Sequence, residues 1–150
     1  ITHKDSLLDL LDRIDMLILN EGEAKLLTDQ RNLVTAAKQI LELGPRVVII
    51  KKGEHGAMMY DADGDIFLLP AYPTPVVIDP TGAGDSFAGG LMGYLSHAGS
   101  VDIISLRNAM VYGTVVASFT IGDFSIYGVQ NATREMIEER FDRLRKITQF

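Results

Sequence analysis

The sequence contains no cysteine. That removes disulfides, thiolate nucleophiles and cysteine-ligated zinc, and fits a reducing, cytoplasmic compartment. Basic residues are also scarce: 14 Lys and Arg stand against 20 Asp and Glu, for a formal net charge of −6. A chain of that balance carries no electrostatic footprint for nucleic acid, and any anionic ligand must be held by local groups. No apolar run approaches the ~18 residues that a membrane helix requires, so a membrane partner is not expected. The histidines, His3, His55 and His97, are too scattered to suggest a metal centre. The chain opens Ile1-Thr2-His3-Lys4-Asp5, with neither an initiator methionine nor a signal-peptide pattern, and is expected to begin part-way through a longer protein.

What is present is a composition suited to folding. Apolar residues make up 47% of the 150 positions and charged residues 23%, which predicts one ordinary folded domain over residues 1–150. Leu7, Leu8, Leu11 and Ile14 fall at helical spacing and lead into Met16 to Leu19, a short apolar run that reads as a buried strand. Leu33, Ala36, Ala37, Ile40 and Leu41 form a second helical stripe, closed by Gly44-Pro45. Val47-Val48-Ile49-Ile50 follows, without polar alternation, as in a strand covered on both faces. Two helix-then-strand units in succession predict a layered α/β domain with a largely parallel sheet.

The middle third changes character. Gly56 to Tyr60 and Ile66 to Leu69 read as two antiparallel strands near a sheet edge, turned by Asp63-Gly64. Pro70, Pro73 and Pro75 then punctuate an extended segment feeding Val76-Val77-Ile78, which is expected to be a strand entering a glycine-rich turn. Helical periodicity resumes through His97; further helices are predicted from about Val101 to Phe119, with Ser100 as N-cap, and from Thr133 to about Ile147.

The turn itself reads Asp79-Pro80-Thr81-Gly82-Ala83-Gly84-Asp85-Ser86-Phe87-Ala88-Gly89-Gly90. At the start of a helix, unpaired backbone N–H groups and the positive end of the helix dipole favour a phosphate or a developing oxyanion. Gly82 and Gly84 let a ligand approach the backbone. An ordinary P-loop is excluded, because Gly90-Leu91 stands where Lys and Ser/Thr would follow the Gly84 to Gly89 spacing. A dinucleotide fingerprint fails as well, because Phe87 occupies the third glycine position after Gly82 and Gly84. Asp85 stands where the loop becomes helix. There it is either a base that accepts a proton from a substrate hydroxyl or merely a helix-capping residue.

The whole string from Asp79 to Gly90 strongly resembles the C-terminal signature of the ribokinase-like, phosphofructokinase-B-type family of carbohydrate and nucleoside kinases. Two shorter matches lie upstream in the same order. Asn20-Glu21-Gly22-Glu23 resembles the family's Asn-x-x-Glu element in the magnesium and phosphate region. Ile50-Lys51-Lys52-Gly53-Glu54-His55-Gly56-Ala57 resembles its strand-end loop before the nucleotide site. The chain departs from the pattern at Lys51, where many relatives have threonine.

The resemblance covers about Asp5 to the end of the chain and implies the C-terminal, nucleotide-binding half of a layered α/β/α kinase, without the N-terminal part and its lid. It implies transfer of the γ-phosphoryl of ATP to a hydroxyl of a sugar or nucleoside, with Mg2+ bridging the phosphates. Asp85 is then the catalytic base, and the amides of Gly82, Ala83 and Gly84 form the anion hole. Asn20, Glu23, Lys51, Gly53, Thr81, Gly113 and Ala117 contribute to the nucleotide and metal region, Glu23 acting on Mg2+ through water. Asp79 and Thr81 would contribute to a monovalent cation site of the K+ type, and the intact parent could be a homodimer. The isolated 150 residues are expected to bind nucleotide weakly and phosphorylate nothing.

Each match has a simpler reading beside it. Asn20 and Glu23 also fit a capping box at an ordinary helix start. Lys51 and Lys52 could divide between phosphate and solvent. Gly84-Asp85-Ser86 resembles, less closely, a serine-hydrolase block in which Ser86 would be the nucleophile and His97 or another histidine the base.

Overall fold

The computed structural model describes residues 4–149, so His3 lies outside the described residues. The chain divides into two compact units, one ending at Leu68 and one beginning at Leu69.

The first unit is α/β. It runs α1 (Lys4–Leu11), β1 (Met16–Asn20), α2 (Glu21–Thr28), α3 (Leu33–Glu42), β2 (Val47–Lys51), a short 3-10 turn (Gly53–His55), β3 (Ala57–Asp61) and β4 (Ile66–Leu69), whose last residue opens the second unit. The four strands lie in the order β1-β2-β3-β4. β1 and β2 are parallel and β2 and β3 antiparallel, so the sheet is mixed. Val47 to Ile50 are all buried, because β2 has strand neighbours on both sides and its β-branched side chains fill both faces. Leu19, Leu27, Ile40, Val48, Ile50 and Met58 belong to one apolar cluster, joined by the α1 residue Leu11. The helix starts follow local chemistry. Asn32 caps α3 by accepting hydrogen bonds from the backbone of Val34 (2.8 Å) and Thr35 (3.2 Å).

The second unit contains α4 (Ala83–Ala98), α5 (Ile103–Thr120), the short α6 (Tyr127–Gln130) and α7 (Arg134–Thr148). The contact of α4 with α5 is close because it is built on glycines. A Cβ on Gly113 would stand 2.7 Å from the Phe87 carbonyl oxygen, and one on Gly90 would stand 3.1 Å from the Gly113 Cα. α7 joins α5 through an aromatic stack: the Tyr94 and Tyr112 rings lie 4.7 Å apart and the Tyr112 and Phe141 rings 4.6 Å apart. The Tyr112 hydroxyl donates to the Glu138 carboxylate at 2.8 Å.

Two sequence expectations need correction here. α5 begins at Ile103 and not at Val101, with Asp102 as its cap: the Asp102 carboxylate accepts the Ser105 amide at 2.8 Å, while the Ser100 hydroxyl is bonded to Asp102 itself at 2.6 Å. Val76-Val77-Ile78 is not a strand, and all three side chains are exposed. Its one backbone tie to another segment of the unit, among the described residues, runs from the Ile78 amide to the Ile121 carbonyl at 2.7 Å. No helix among the described residues is long and apolar enough to cross a membrane.

Candidate active site

In the second unit, the glycine-rich loop turns directly into α4. Gly82 is the N-cap, held at φ +79°, a left-handed conformation that a residue without Cβ adopts without strain. The loop is pinned below that point by an Asx turn in which the Asp79 carboxylate accepts the Thr81 amide at 2.9 Å. Hydrogen bonding from Thr81, through its backbone and then its hydroxyl, holds the Asp79 carboxyl below its ordinary range, with a smaller contribution from the Ser125 backbone. Asp79 is therefore a stable anion that organises the loop.

The amides divide unequally. The Ala83 N–H donates to the Pro80 carbonyl at 3.2 Å and the Ser86 N–H to the Gly82 carbonyl at 2.9 Å. Among the described residues, the N–H groups of Gly82, Gly84 and Asp85 make no such bond. The free donors at the helix start are thus those of Gly82, Gly84 and Asp85, whereas sequence reasoning named Gly82, Ala83 and Gly84. The difference arises because residue 83 closes the turn back onto Pro80.

Asp85 is exposed in the first turn of α4 and lines a cavity of roughly 230 Å³ with Thr81, Gly82, Ser86, Thr120, Ser125 and Ile126. The Thr120 hydroxyl donates to Ser86 Oγ at 2.7 Å, which ties the end of α5 to the start of α4. A carboxylate beside free backbone donors can take up a proton while an adjacent oxyanion is stabilised. Thr120, Ser125 and Ile126 were missed in the sequence. Ser125 takes a positive φ of +56°, which nothing in its residue type announces.

Geometry within the second unit disfavours the hydrolase reading. Ser86 and His97 both lie on α4, separated by eleven positions, which along a helix is roughly 16 Å. Gly113 is buried against Phe87, and its position is accounted for by helix packing; Ala117 is half-buried, with its carbonyl accepting the Ile121 amide at 3.2 Å. Neither lines the cavity beside Asp85.

The first unit gathers the remaining candidates at one end of its sheet. Asn20 and Lys51 are register partners at the carboxyl ends of the parallel pair β1 and β2, and Gly53 opens the turn just beyond β2. That end of a parallel pair is where open α/β sheets bind ligands. The capping box anticipated for Asn20 and Glu23 is formed: Asn20 Oδ1 accepts the Glu23 amide at 2.8 Å, and Glu23 Oε2 accepts the Asn20 amide at 2.7 Å. It fixes the Glu23 carboxylate and leaves its Oε1 outside the pair. Lys51 is half-buried, Gly53 is exposed with φ +57°, and a Cβ there would meet no neighbour. Among the described residues no cluster of three or more acidic or histidine side chains forms a metal cage.

Residues 2–131 match the pfkB family of carbohydrate kinases. The bifunctional ribokinase/ribose-5-phosphate isomerase A of Fructilactobacillus sanfranciscensis is 37% identical over 136 residues, which are 86% of this chain and 24% of that protein. The cytidine kinase of Thermococcus kodakarensis is 38% identical over 96 residues, 63% of this chain and 34% of that protein. An Escherichia coli protein described as a ribokinase II, solved in complex with ATP and Mg2+, superimposes with a TM-score of 0.75 at 29% identity, covering 93% of this chain and 43% of its own. The chain therefore spans between a quarter and less than half of the length of these relatives. The fold is the α/β fold of ribokinase-like proteins. With the Asp79 to Gly90 block, the Asn20 to Glu23 element and 130 consecutive residues all matching in order, the chain belongs to the pfkB family of carbohydrate kinases.

Proposed function

We propose that this chain carries the phosphoryl-transfer end of an ATP-dependent kinase acting on a hydroxyl of a sugar or nucleoside. The observation that carries the proposal is the start of α4, where the amides of Gly82, Gly84 and Asp85 are free and Gly82 and Asp85 line one cavity. Asp85 accepts the proton of the acceptor hydroxyl as that oxygen attacks the γ-phosphorus of ATP, whose bond to the β–γ bridging oxygen breaks to release ADP. The free amides hold the oxygens of the transferred group, a role for which their fixed orientation suits them. In the first unit, Asn20, Glu23, Lys51 and Gly53 serve the metal and phosphate end of the nucleotide. The residues fit that role in kind: Glu23 has a carboxylate oxygen outside its capping pair, suited to a water-bridged magnesium, and Lys51 is a cation at a strand's carboxyl end. Magnesium, when bound, neutralises charge on the phosphates. Asp79 and Thr81 are assigned to a monovalent cation, for which an ionised carboxylate among loop carbonyls is suitable chemistry.

The test is substitution of Asp85 by Asn in the intact kinase that carries these residues, assayed with ATP, Mg2+ and a panel of sugars and nucleosides. Removing a general base should lower turnover by roughly 10²–10⁴-fold with nucleotide binding retained. Ser86→Ala should leave turnover within a few-fold, since its hydroxyl serves as an acceptor for Thr120. Undiminished transfer by Asp85→Asn would remove Asp85 as base, and loss of activity in Ser86→Ala with labelling by a serine-directed phosphonate would restore the hydrolase reading. For the 150 residues alone, the proposal is nucleotide binding without turnover, and robust phosphorylation of any acceptor by them would contradict it.

A further inference from the structure

The second unit has another cavity, of roughly 380 Å³, that shares no lining residue with the one beside Asp85. Its walls are apolar: Tyr72, Pro73, Pro75, Phe119 and Met136. Its polar residues are Thr74 on the extended segment and, on α7, Arg140 and Arg143 one turn apart with Glu139 beside them. That volume lies within the range of small-molecule sites, and the mixture of apolar walls with a few convergent charges is their usual composition.

Arg140 is held unusually firmly for an arginine. Its guanidinium carbon lies 3.7 Å from the centre of the Phe119 ring and 5.1 Å from that of Tyr72, so the group is stacked on one aromatic face and flanked by another. Its Nη1 donates to Ser118 Oγ at 2.7 Å, and that hydroxyl donates in turn to the Val115 carbonyl at 2.6 Å. These contacts fix the plane of the guanidinium and use one of its five N–H donors. Among the described residues neither Arg140 nor Arg143 forms an ion pair, whereas Arg46 and Arg145 both do. Burial is the largest influence on the Arg140 side chain and lowers its proton affinity. Glu139 offsets the charge without pairing to it directly, and a half-buried, immobilised guanidinium that lacks a direct ion pair is costly unless an anion completes it.

The geometry points to a binding site for a small organic anion, an oxyanion head on an apolar body, gripped by the free edge of Arg140 and by Arg143 with its body against Tyr72, Pro73, Pro75 and Met136. Arginine suits the task because its planar fork matches the two oxygens of a carboxylate or phosphoryl group. Two arginines against one glutamate leave a single net positive charge, so the site favours an anion of low charge with an apolar body over a polyphosphate.

The experiment is a titration of the protein, with arginine Nε resonances followed by NMR, against benzoate, phenyl phosphate and sodium chloride at matched ionic strength. A saturable shift of the Arg140 resonance with benzoate, or with phenyl phosphate alone, supports the site and distinguishes a carboxylate head from a phosphoryl head. Arg143 is exposed, so Arg143→Gln should fold normally and weaken the binding about tenfold, the loss of one charge-assisted contact. Arg140→Lys, which keeps charge but loses the planar stack, should weaken it further. Saturating ATP with Mg2+ should not displace the anion. The proposal is overturned if both organic anions behave like chloride, if binding is indifferent to both substitutions, or if ATP competes.

Discussion

Gly82 shows how one residue couples backbone conformation to chemistry. Its φ of +79° lets the loop turn into α4 with three amides left free, and a Cβ there would meet only Thr120 Cγ2, at 3.9 Å. Space is therefore not the constraint; conformation is. Gly82→Ala should cost about 1–2 kcal/mol of stability through the left-handed conformation alone. Urea unfolding checks the figure, and an unchanged midpoint would mean that the loop relaxes to negative φ. The block from Asp79 to Gly90 was legible at this scale because glycine and aspartate at fixed spacing report directly on backbone freedom and charge. Two features were not legible. The return of the Ala83 amide to Pro80 depends on the exact pitch of the turn, and the placement of Ser125 beside Asp79 depends on where the chain leaves α5.

Among the elements, α1, α3, β1 and β2 could be read from periodicity because each buries a face against its sequence neighbours, whereas α2 was signalled only by the capping pair Asn20 and Glu23 at its start. The failures concern properties that a segment does not own by itself. Val76-Val77-Ile78 has the β-branched composition of a strand, but a strand exists only with a partner, and among the described residues no strand pairs with it. Ser100 and Asp102 are both competent caps; Asp102 prevails by reaching the Ser105 amide while Ser100 turns to Asp102. The joint of α5 with α7 supports a pH prediction. Burial first, and then the hydrogen bond to Glu138, push the Tyr112 phenol from 10.0 up to about 12. Because the folded value is raised, the stabilisation is fully present below pH 10 and is lost as pH climbs toward 12. Denaturant midpoints should fall across that window in the native chain and less so in Tyr112→Phe, which forgoes the bond at every pH. Parallel declines in both proteins would exclude Tyr112 as the source.

Over the 150 residues taken together, the net charge of −6 bears on how the nucleotide of the proposed function would be bound. A ligand drawn in by a broad positive field loses affinity steeply as salt rises, whereas one held by backbone amides and a few fixed cations in a concave site is screened much less. The affinity for ATP with Mg2+ should therefore change by less than about threefold between roughly 0.05 and 0.2 M salt, well short of the decades seen with field-driven polyanion binding. Isothermal titration across that range is the check, and a tenfold loss would point to long-range attraction. Because the four strands lie side by side in the order in which the chain makes them, few strand pairings among the described residues are remote in sequence, and the longest crossing between neighbours there is from β1 over α2 and α3 to β2. Chains whose contacts are local fold quickly, since little loop entropy is lost before pairing is rewarded. During synthesis, this sheet can close before the residues of α4 to α7 have left the ribosome.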